Sequence, residues 1–207
     1  DDVHHVRQKL LLADGGGDAS KAEASVERYK EEELRHYYYA DHILTISDVD
    51  RRSILKALGP GRRMHEARFS TVRHVYADEL LFPLEKRPPF SDRGGLLFVG
   101  NINNPTNLHG LRWFVSRILP IIRRQDPTMR LRIIGSWEGE SAKKFAASQL
   151  LHSTKGVDVL GYVDDLAGEI KRARIFVVPI KWATGILTKQ SLAHVHGLPT
   201  VITPAAA

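Results

Sequence analysis

Short apolar segments alternate with helical segments through the second half of this 207-residue chain, and that alternation constrains the fold most. Segments of four or five residues rich in branched and aromatic side chains are typical of buried parallel strands. They lie at 96–100, 131–135, 157–161, 175–178 and 200–203. Helical patterns separate them, so the sequence predicts βαβ units: a Rossmann-like parallel sheet flanked by helices, in the α/β class.

The helices between these strands are expected at 107–124, at 139–152, at 164–173 and around Lys189. Apolar residues recur at helical spacing in the first of them. Pro120 lies inside that helix and should kink or end it, because proline has no N–H and its ring crowds the preceding turn.

The first 94 residues follow another pattern. We expect a helix over 21–40, a short buried strand at 43–46, and a helix from Ser47, which forms a capping box with Asp50, to Leu58. One strand is possible at 72–76, among prolines and glycines that prevent long regular elements. The predicted organisation is therefore residues 1–60 as the end of one domain, 61–94 as a linker and 95–207 as a second domain. Because the chain lacks an initial methionine and stops after a strand, we expect a fragment.

Composition narrows the function classes. The chain has no cysteine, which excludes disulfides, thiolate metal sites and a cysteine nucleophile, and is consistent with a cytoplasmic location. No apolar run is long enough for a membrane helix. The formal net charge of +6 suits a phosphorylated small molecule, an anionic membrane surface or a nucleic acid. Nucleic acid ranks last of these, because the basic residues are scattered and no nucleic-acid-binding motif is present.

Four of the predicted strands end in glycine or proline, at Gly100, Gly135, Gly161 and Pro179. Right-handed crossovers bring these ends to one edge of the sheet, where open α/β folds bind ligands. Each glycine taken alone is explained as a strand terminator, but the ordered set favours a ligand site. The segment after Gly100 lacks G-x-G-x-x-G, which argues against a nicotinamide or flavin site. Its asparagines, Asn101 among them, could line a sugar or phosphate pocket or simply form a turn.

The segment after the fourth strand predicts a phosphate site. Gly185, Ile186 and Leu187 stand where a helix begins, so their backbone N–H groups and the helix dipole would favour an anion. Lys189 would add a full positive charge; the alternative is a solvated helix lysine. Such donors neutralise a diphosphate without a metal. His194 and His196 do not share a helix face, and we expect polar helix residues there rather than metal ligands.

The motifs of residues 95–207 resemble, in order and spacing, those of glycosyltransferase family 4, the group 1 glycosyltransferases. They are Phe98-Val99-Gly100, Pro105-Thr106-Asn107, Trp113-Phe114, Pro120, Leu131-Arg132-Ile133-Ile134-Gly135, Gly161-Tyr162-Val163-Asp164-Asp165, Val178-Pro179, Gly185-Ile186, Lys189 and Gly197-Leu198-Pro199. Upstream, the residues around His4 and His5, the helix at 31–41 and the strand at 43–46 resemble the end of that family's first domain.

This resemblance implies the GT-B arrangement of two Rossmann-like domains, with the donor-binding domain nearly complete here and only a remnant of the N-terminal, acceptor-side domain. It implies a retaining, metal-independent hexosyltransferase that moves a sugar from a UDP- or GDP-sugar to an unidentified hydroxyl acceptor. No cofactor is expected, and the donor phosphate itself assists proton transfer.

The resemblance also assigns residues. Lys189 and His4 would be catalytic. His4 and His5 are the first-domain candidates for contact with the acceptor or the donor sugar, but surface histidines at a frayed end explain them at least as well. The donor would contact Gly100 and Asn101 at the pocket floor, and Gly135 and Leu192 also belong to the donor-binding set. The base would lie against Gly161, Tyr162 and Val163. Gly185, Ile186 and Leu187 would hold its phosphates.

One position departs from the family. A glutamate usually follows the lysine by three residues and hydrogen-bonds the donor ribose, but this chain has Leu192, which cannot accept a hydrogen bond. Leu192 could simply pack in the core, or it could indicate a catalytically degenerate GT-B-like binding protein, the main alternative to the enzyme. The arginine pairs 62–63 and 123–124 are explained as surface charge, with peripheral membrane association as a weaker possibility.

Overall fold

The computed structural model describes residues 5–6, 9, 19–59, 68–72, 88–136, 149–182 and 188–206. The chain divides into two compact units. The first comprises Asp1–Val75 with Trp182–Leu187, and the second comprises Tyr76–Lys181 with Thr188–Ala207.

The first unit contains two helices and a two-stranded parallel sheet. Its elements are α1 (Ala19–Tyr39), β1 (Ile43–Thr45), α2 (Asp48–Leu58) and β2 (Phe69–Thr71), and β1 pairs with β2. Their apolar faces meet in a small core made of Leu34, Ile43, Ile54, Leu58 and Phe69. The predicted helices and the strand near residue 43 are thus confirmed.

Ser47 caps α2 as predicted, but Asp50 bonds the Ser47 hydroxyl instead of the Ser47 N–H that would complete a capping box. The hydroxyl of Ser47 accepts the backbone N–H of Asp50 at 3.0 Å and donates to the Asp50 carboxylate at 2.5 Å. Because the first N–H groups of a helix have no partner within the helix, this side chain fixes where α2 begins.

Of the strand expected at 72–76 only Val72 is described, and it is not assigned to a strand. The strand lies at Phe69–Thr71, and Val72 only continues it by one backbone hydrogen bond to Thr45, at 2.8 Å. Phe69, 7% exposed, is the residue that packs into the core, whereas Val72 is 53% exposed. Residues 73–76 lie outside the described part of the chain.

The second unit is built on a five-stranded parallel sheet. Its strands are β3 (Leu96–Val99), β4 (Leu131–Ile134), β5 (Val157–Gly161), β6 (Ile175–Val178) and β7 (Thr200–Ile202), in the order β5-β4-β3-β6-β7. The Rossmann-like α/β class is confirmed. Strands are added outward from β3 in one direction and then from β6 in the other, so the chain reverses direction between β3 and β6, where such sheets bind ligands.

Helices connect these strands. They are α3 (Pro105–Trp113), a wider π-helical turn (Phe114–Ile118), α4 (Leu119–Gln125), α5 (Leu166–Arg172) and α6 (Thr188–Val195). Residues 149–153 are also helical, whereas 139–148 of the helix predicted there lie outside the described residues. Leu97, Phe98, Leu111, Phe176 and other apolar side chains are excluded from solvent between helices and sheet.

Pro120 does not end the helix in which it was predicted. The helical stretch starts at Pro105, two residues before the predicted start, because Asn104 caps it by accepting the N–H of Thr106 at 2.9 Å. It then continues to Gln125. The π-helical turn stands directly before α4, so Pro120 falls in the first turn of α4, where a missing N–H has no cost.

Helix α3 lies unusually close to the segment that follows β6. A methyl group built at Gly110 would come within 2.1 Å of the backbone oxygen of Pro179. Only glycine permits this approach, and it brings the first turn of α3 beside the carboxyl end of β6.

Candidate functional site

Three strand-terminating glycines meet at the carboxyl edge of the sheet, as the sequence predicts. Gly100 donates its N–H to the oxygen of Ile134 at 2.8 Å, and Gly135 donates to the oxygen of Gly161 at 2.9 Å. A methyl group at Gly135 would lie 2.1 Å from the oxygen of Gly100, and its φ of +147° also requires glycine. The three ends therefore form one continuous backbone edge.

The asparagines after Gly100 build the turn that leads into α3. Asn101 accepts the N–H of Asn103 on its side-chain oxygen at 2.8 Å. Its backbone oxygen accepts the N–H of Asn104 at 3.3 Å and the side-chain amide of Asn107 at 2.8 Å. These asparagines therefore form a turn, which was one of the two alternatives from the sequence. Their hydrogen bonds hold the loop after β3 in one conformation.

Lys189 is not a solvated surface lysine. Its Nζ donates to the side-chain oxygen of Asn107 at 2.5 Å and lies 5.2 Å from the centroid of the Phe98 ring. Burial lowers its pKa from 10.5 to about 8, because removal of water disfavours the charged amine. Near neutral pH the amine remains mostly protonated, so a positive charge is held inside the protein.

The contact between Lys189 and Asn107 lies where the strand order reverses, between β3 and β6. Asn107 is in the first turn of α3, which follows β3, and Lys189 is in the first turn of α6. Sequence reasoning named Asn107 only as part of a motif and gave it no role. Its position three residues after the helix cap, at the end of a buried strand, is the signal that could have identified it.

The residues expected to bound the base pocket lie at the end of β5. Gly161 has a φ of +70°, which requires glycine, and no atom would oppose a methyl group there. Tyr162 is 80% exposed and Val163 is partly buried. Asp165 accepts the N–H of Gly168 at 2.8 Å and so begins α5. The turn after β5 therefore contains both the helix cap Asp165 and the exposed ring of Tyr162, so the structural and the binding explanation of this turn are compatible.

Leu192 and the two histidines take part in the structure of α6 and β7. Leu192 is partly buried, and its carbonyl oxygen accepts a hydrogen bond from Nδ1 of His196 at 2.9 Å. His194 Nε2 lies 2.9 Å from the hydroxyl of Thr200. Over the described ranges, no group of three histidine, aspartate or glutamate residues could hold a metal ion.

The remaining predicted site residues lie near the start of the chain and directly before α6. His4, Gly185, Ile186 and Leu187 lie outside the described residues. His5 is 9% exposed, and its Nδ1 lies 2.6 Å from Oε2 of Glu33, so it is held against α1. None of the helices within the described part of the chain combines the length and hydropathy that crossing a membrane would require.

The second unit thus has the fold of nucleotide-binding Rossmann-like domains, with a partly buried lysine amine at the reversal point of its sheet. The chain belongs to the group 1 glycosyl transferases, since the model of that family matches residues 93–207.

Relatives are distant and longer than this chain. A Klebsiella pneumoniae protein described as an uncharacterized 44.6 kDa protein in the cps region is 24% identical over 96 residues, 45% of this chain and 25% of that protein. HepE of Anabaena, solved with UDP and glucose, superposes with a TM-score of 0.63 at 12% identity, covering 86% of this chain and 50% of HepE. A mutant of S. aureus TarM, solved with Fondaparinux, alpha-GlcNAc-glycerol and UDP, gives 0.61 at 11% identity, covering 91% and 34%. The chain therefore spans half or less of the length of each.

Proposed function

We propose that residues 95–207 bind the donor of a retaining glycosyltransferase, which moves a hexose from a UDP- or GDP-sugar to a hydroxyl acceptor. The observation that carries this proposal is the Lys189 ammonium, held by Asn107 at the carboxyl edge of the sheet. Membership of the group 1 glycosyl transferases supports it, as do the UDP complexes of HepE and TarM.

A partly buried cation at this place suits the chemistry of the proposed reaction. When the bond between the sugar and the diphosphate breaks, negative charge grows on the terminal phosphate, and preorganised donors must stabilise it. An ammonium in a poorly hydrated site interacts more strongly with that charge than one in water. The acceptor oxygen forms the new bond to the anomeric carbon, the nucleoside diphosphate leaves, and the donor phosphate assists removal of the acceptor proton.

Other residues receive proposed roles from the family. The N–H groups of Gly185, Ile186 and Leu187, just before α6 in the sequence, would bind the phosphates with Lys189. The turn at 161–163 would bound the base, and the edge at Gly100, Asn101 and Gly135 would form the floor. His4 would contact the acceptor or the donor sugar.

The same family membership is the basis for a proposed domain organisation and cellular location. Residues 1–60 would end an acceptor-side domain, 61–94 would connect it to the donor domain of 95–207, and the enzyme would act in the cytoplasm without a cofactor. Arg123 donates to the backbone oxygen of Pro127 at 3.1 Å, which leaves the exposed Arg124 as the better candidate for contact with an anionic membrane surface.

Nucleotide titration tests the proposal. Calorimetry of the 207-residue chain with UDP and GDP near neutral pH should show binding, and Lys189→Met should weaken it at least tenfold, about 1.4 kcal/mol. Lys155→Met is the matched control, because it removes the same charge from an exposed position before β5 and should leave affinity unchanged. Absence of binding, or equal losses in both variants, would refute the proposal.

Leu192 favours a second candidate, a non-catalytic relative that retains the fold and binds nucleotide weakly. Without the glutamate, the ribose hydroxyls lack an acceptor, which costs about 1–3 kcal/mol. The two candidates differ in turnover: an enzyme releases UDP or GDP from a sugar nucleotide faster than the uncatalysed reaction, whereas a binding protein does not.

A further inference from the structure

The side-chain amide of Asn107 is engaged at both ends. Its Nδ2 donates to the backbone oxygen of Asn101 at 2.8 Å, and its Oδ1 accepts from Lys189 at 2.5 Å. The side chain is buried, with 7% of Asn107 exposed. Rotating the amide by half a turn would place an NH₂ group against the ammonium and an oxygen against a carbonyl, so the Asn101 carbonyl fixes which end meets Lys189.

The backbone around Asn107 is also held in place. Asn104 caps α3, and Pro105 occupies the first position of the helix. One turn later, the contact of Gly110 with Pro179 fixes the distance of α3 from the end of β6. The oxygen that receives the ammonium is therefore positioned by the fold and not only by the flexible lysine.

We propose that Asn107 is a positioning residue, whose carboxamide oxygen holds the Lys189 ammonium at the reversal point of the sheet, oriented for a donor diphosphate. This inference rests on the proposed function of Lys189. An ammonium has three N–H donors; one is directed at Asn107, and no other acceptor among the described residues bonds the amine, so two donors would serve phosphate oxygens.

The neutrality of Asn107 matters because, within the described part of the chain, the elements beside the amine carry few other charges. Strands β3, β6 and β7 carry no ionisable side chain; α3 contributes His109 and Arg112, α6 contributes His194, which bonds Thr200, and the segment after β6 contributes Lys181, whose Nζ lies 5.5 Å from the Trp113 ring centroid. Burial is the only cause of the lowered pKa of Lys189. A carboxamide thus orients the ammonium without neutralising it, whereas a carboxylate at the same place would pair with it and compete with the phosphate.

Asn107→Asp tests the inference with almost no change in volume. UDP affinity should fall about tenfold or more at neutral pH, because the carboxylate repels the diphosphate and pairs with the ammonium. The pH above which affinity declines should move upward from about 8, by roughly one unit or more, because the ion pair raises the pKa of Lys189. Asn107→Leu, which removes both hydrogen bonds, should weaken UDP binding and leave no such upward shift.

Asn104→Asp is the matched control. It adds the same charge to the same loop, at an exposed helix cap where aspartate and asparagine are equally favourable. It should leave the pH profile in place and weaken UDP binding less than Asn107→Asp. Equal profiles in the two variants would overturn the inference.

A second measurement needs no ligand and separates this inference from the proposed function. Between neutral pH and about pH 9.5 the stability of the protein should rise as Lys189 loses its proton, and Asn107→Asp should remove that rise while Asn104→Asp retains it. If the rise is unchanged in Asn107→Asp, the positioning role is wrong even where UDP binds. If UDP does not bind the wild-type protein but Asn107→Asp still removes the rise in stability, the donor-site proposal fails. The contact between Asn107 and Lys189 would then be confirmed without a role in phosphate binding.

Discussion

Replacing Lys189 by methionine should make the protein more stable and a poorer nucleotide binder at the same time. The pKa of Lys189 falls from 10.5 in the unfolded chain to about 8 in the folded one. At 1.36 kcal/mol for each pKa unit, burying the charged amine costs about 3 kcal/mol, an upper bound since Lys189 is only partly buried. The lost hydrogen bond to Asn107 costs about 1 kcal/mol, so the variant should gain about 2 kcal/mol near pH 7.

The sign of the pH dependence follows from which state holds the proton. Between about pH 8 and 10.5 the unfolded chain retains the proton on Lys189 and the folded protein loses it. Unfolding then binds protons, so the stability of the wild-type protein rises with pH across this window. The advantage of Lys189→Met should shrink by about 2 kcal/mol between pH 7 and pH 9.5. Packing differences between lysine and methionine cancel in this comparison, because they do not depend on pH.

Urea unfolding followed by tryptophan fluorescence at the two pH values measures the effect, with Trp113 in the second unit as a reporter. The control Lys155→Met should change stability by less than about 0.5 kcal/mol at either pH, as exposed substitutions do. A Lys189→Met variant that is less stable than the wild type by the same amount at both pH values would show that the ammonium is well hydrated, and the argument for the donor site would fail with it.

Three further substitutions probe the site and the fold. Leu192→Glu should tighten UDP binding by about tenfold to a hundredfold in calorimetry, since it restores an acceptor for the ribose; an unchanged affinity would count against the degenerate-site explanation. Gly135→Ala should destabilise the protein by roughly 3 kcal/mol or more in urea, because the methyl group meets Gly100 and the backbone has positive φ; a smaller loss would mean that the strand ends can separate. Ser47→Ala should cost about 1 kcal/mol by removing the cap of α2 and leave UDP affinity unaltered, whereas a change in affinity would contradict the assignment of the donor site to residues 95–207.

The sheet and its glycine edge could be predicted because their signals are local. The strands β3, β4 and β6 are mostly buried and appear as short apolar runs, whereas the outer strands β5 and β7 are partly exposed but keep an apolar pattern. The end of β4 requires glycine for reasons of backbone geometry. Ser47 and Asp50 predicted the start of α2 on the same basis, since a helix cap involves residues three apart.

What the sequence did not predict depends on contacts between distant residues. Lys189 and Asn107 are 82 residues apart, and only the packing of α3 against the end of β6 brings them together. The position of β2 was missed because Val72 and its neighbours have higher strand propensity than Phe69-Ser70-Thr71, yet Phe69 is the side chain that the core accepts. Pro120 was expected to kink or end a helix, but a π-helical turn precedes it, and Pro120 stands in the first turn of α4, which continues to Gln125.

The close approach at Gly110 has a consequence for how donor affinity can evolve. Any larger residue there would push α3 away from Pro179, and the first turn of the helix, with Asn107, would move with it. The residue at position 110 therefore determines where Asn107 holds the Lys189 amine, although Gly110 is not the residue that bonds this amine. Natural variation at this single backbone contact could tune nucleotide binding without altering any side chain that meets the ligand.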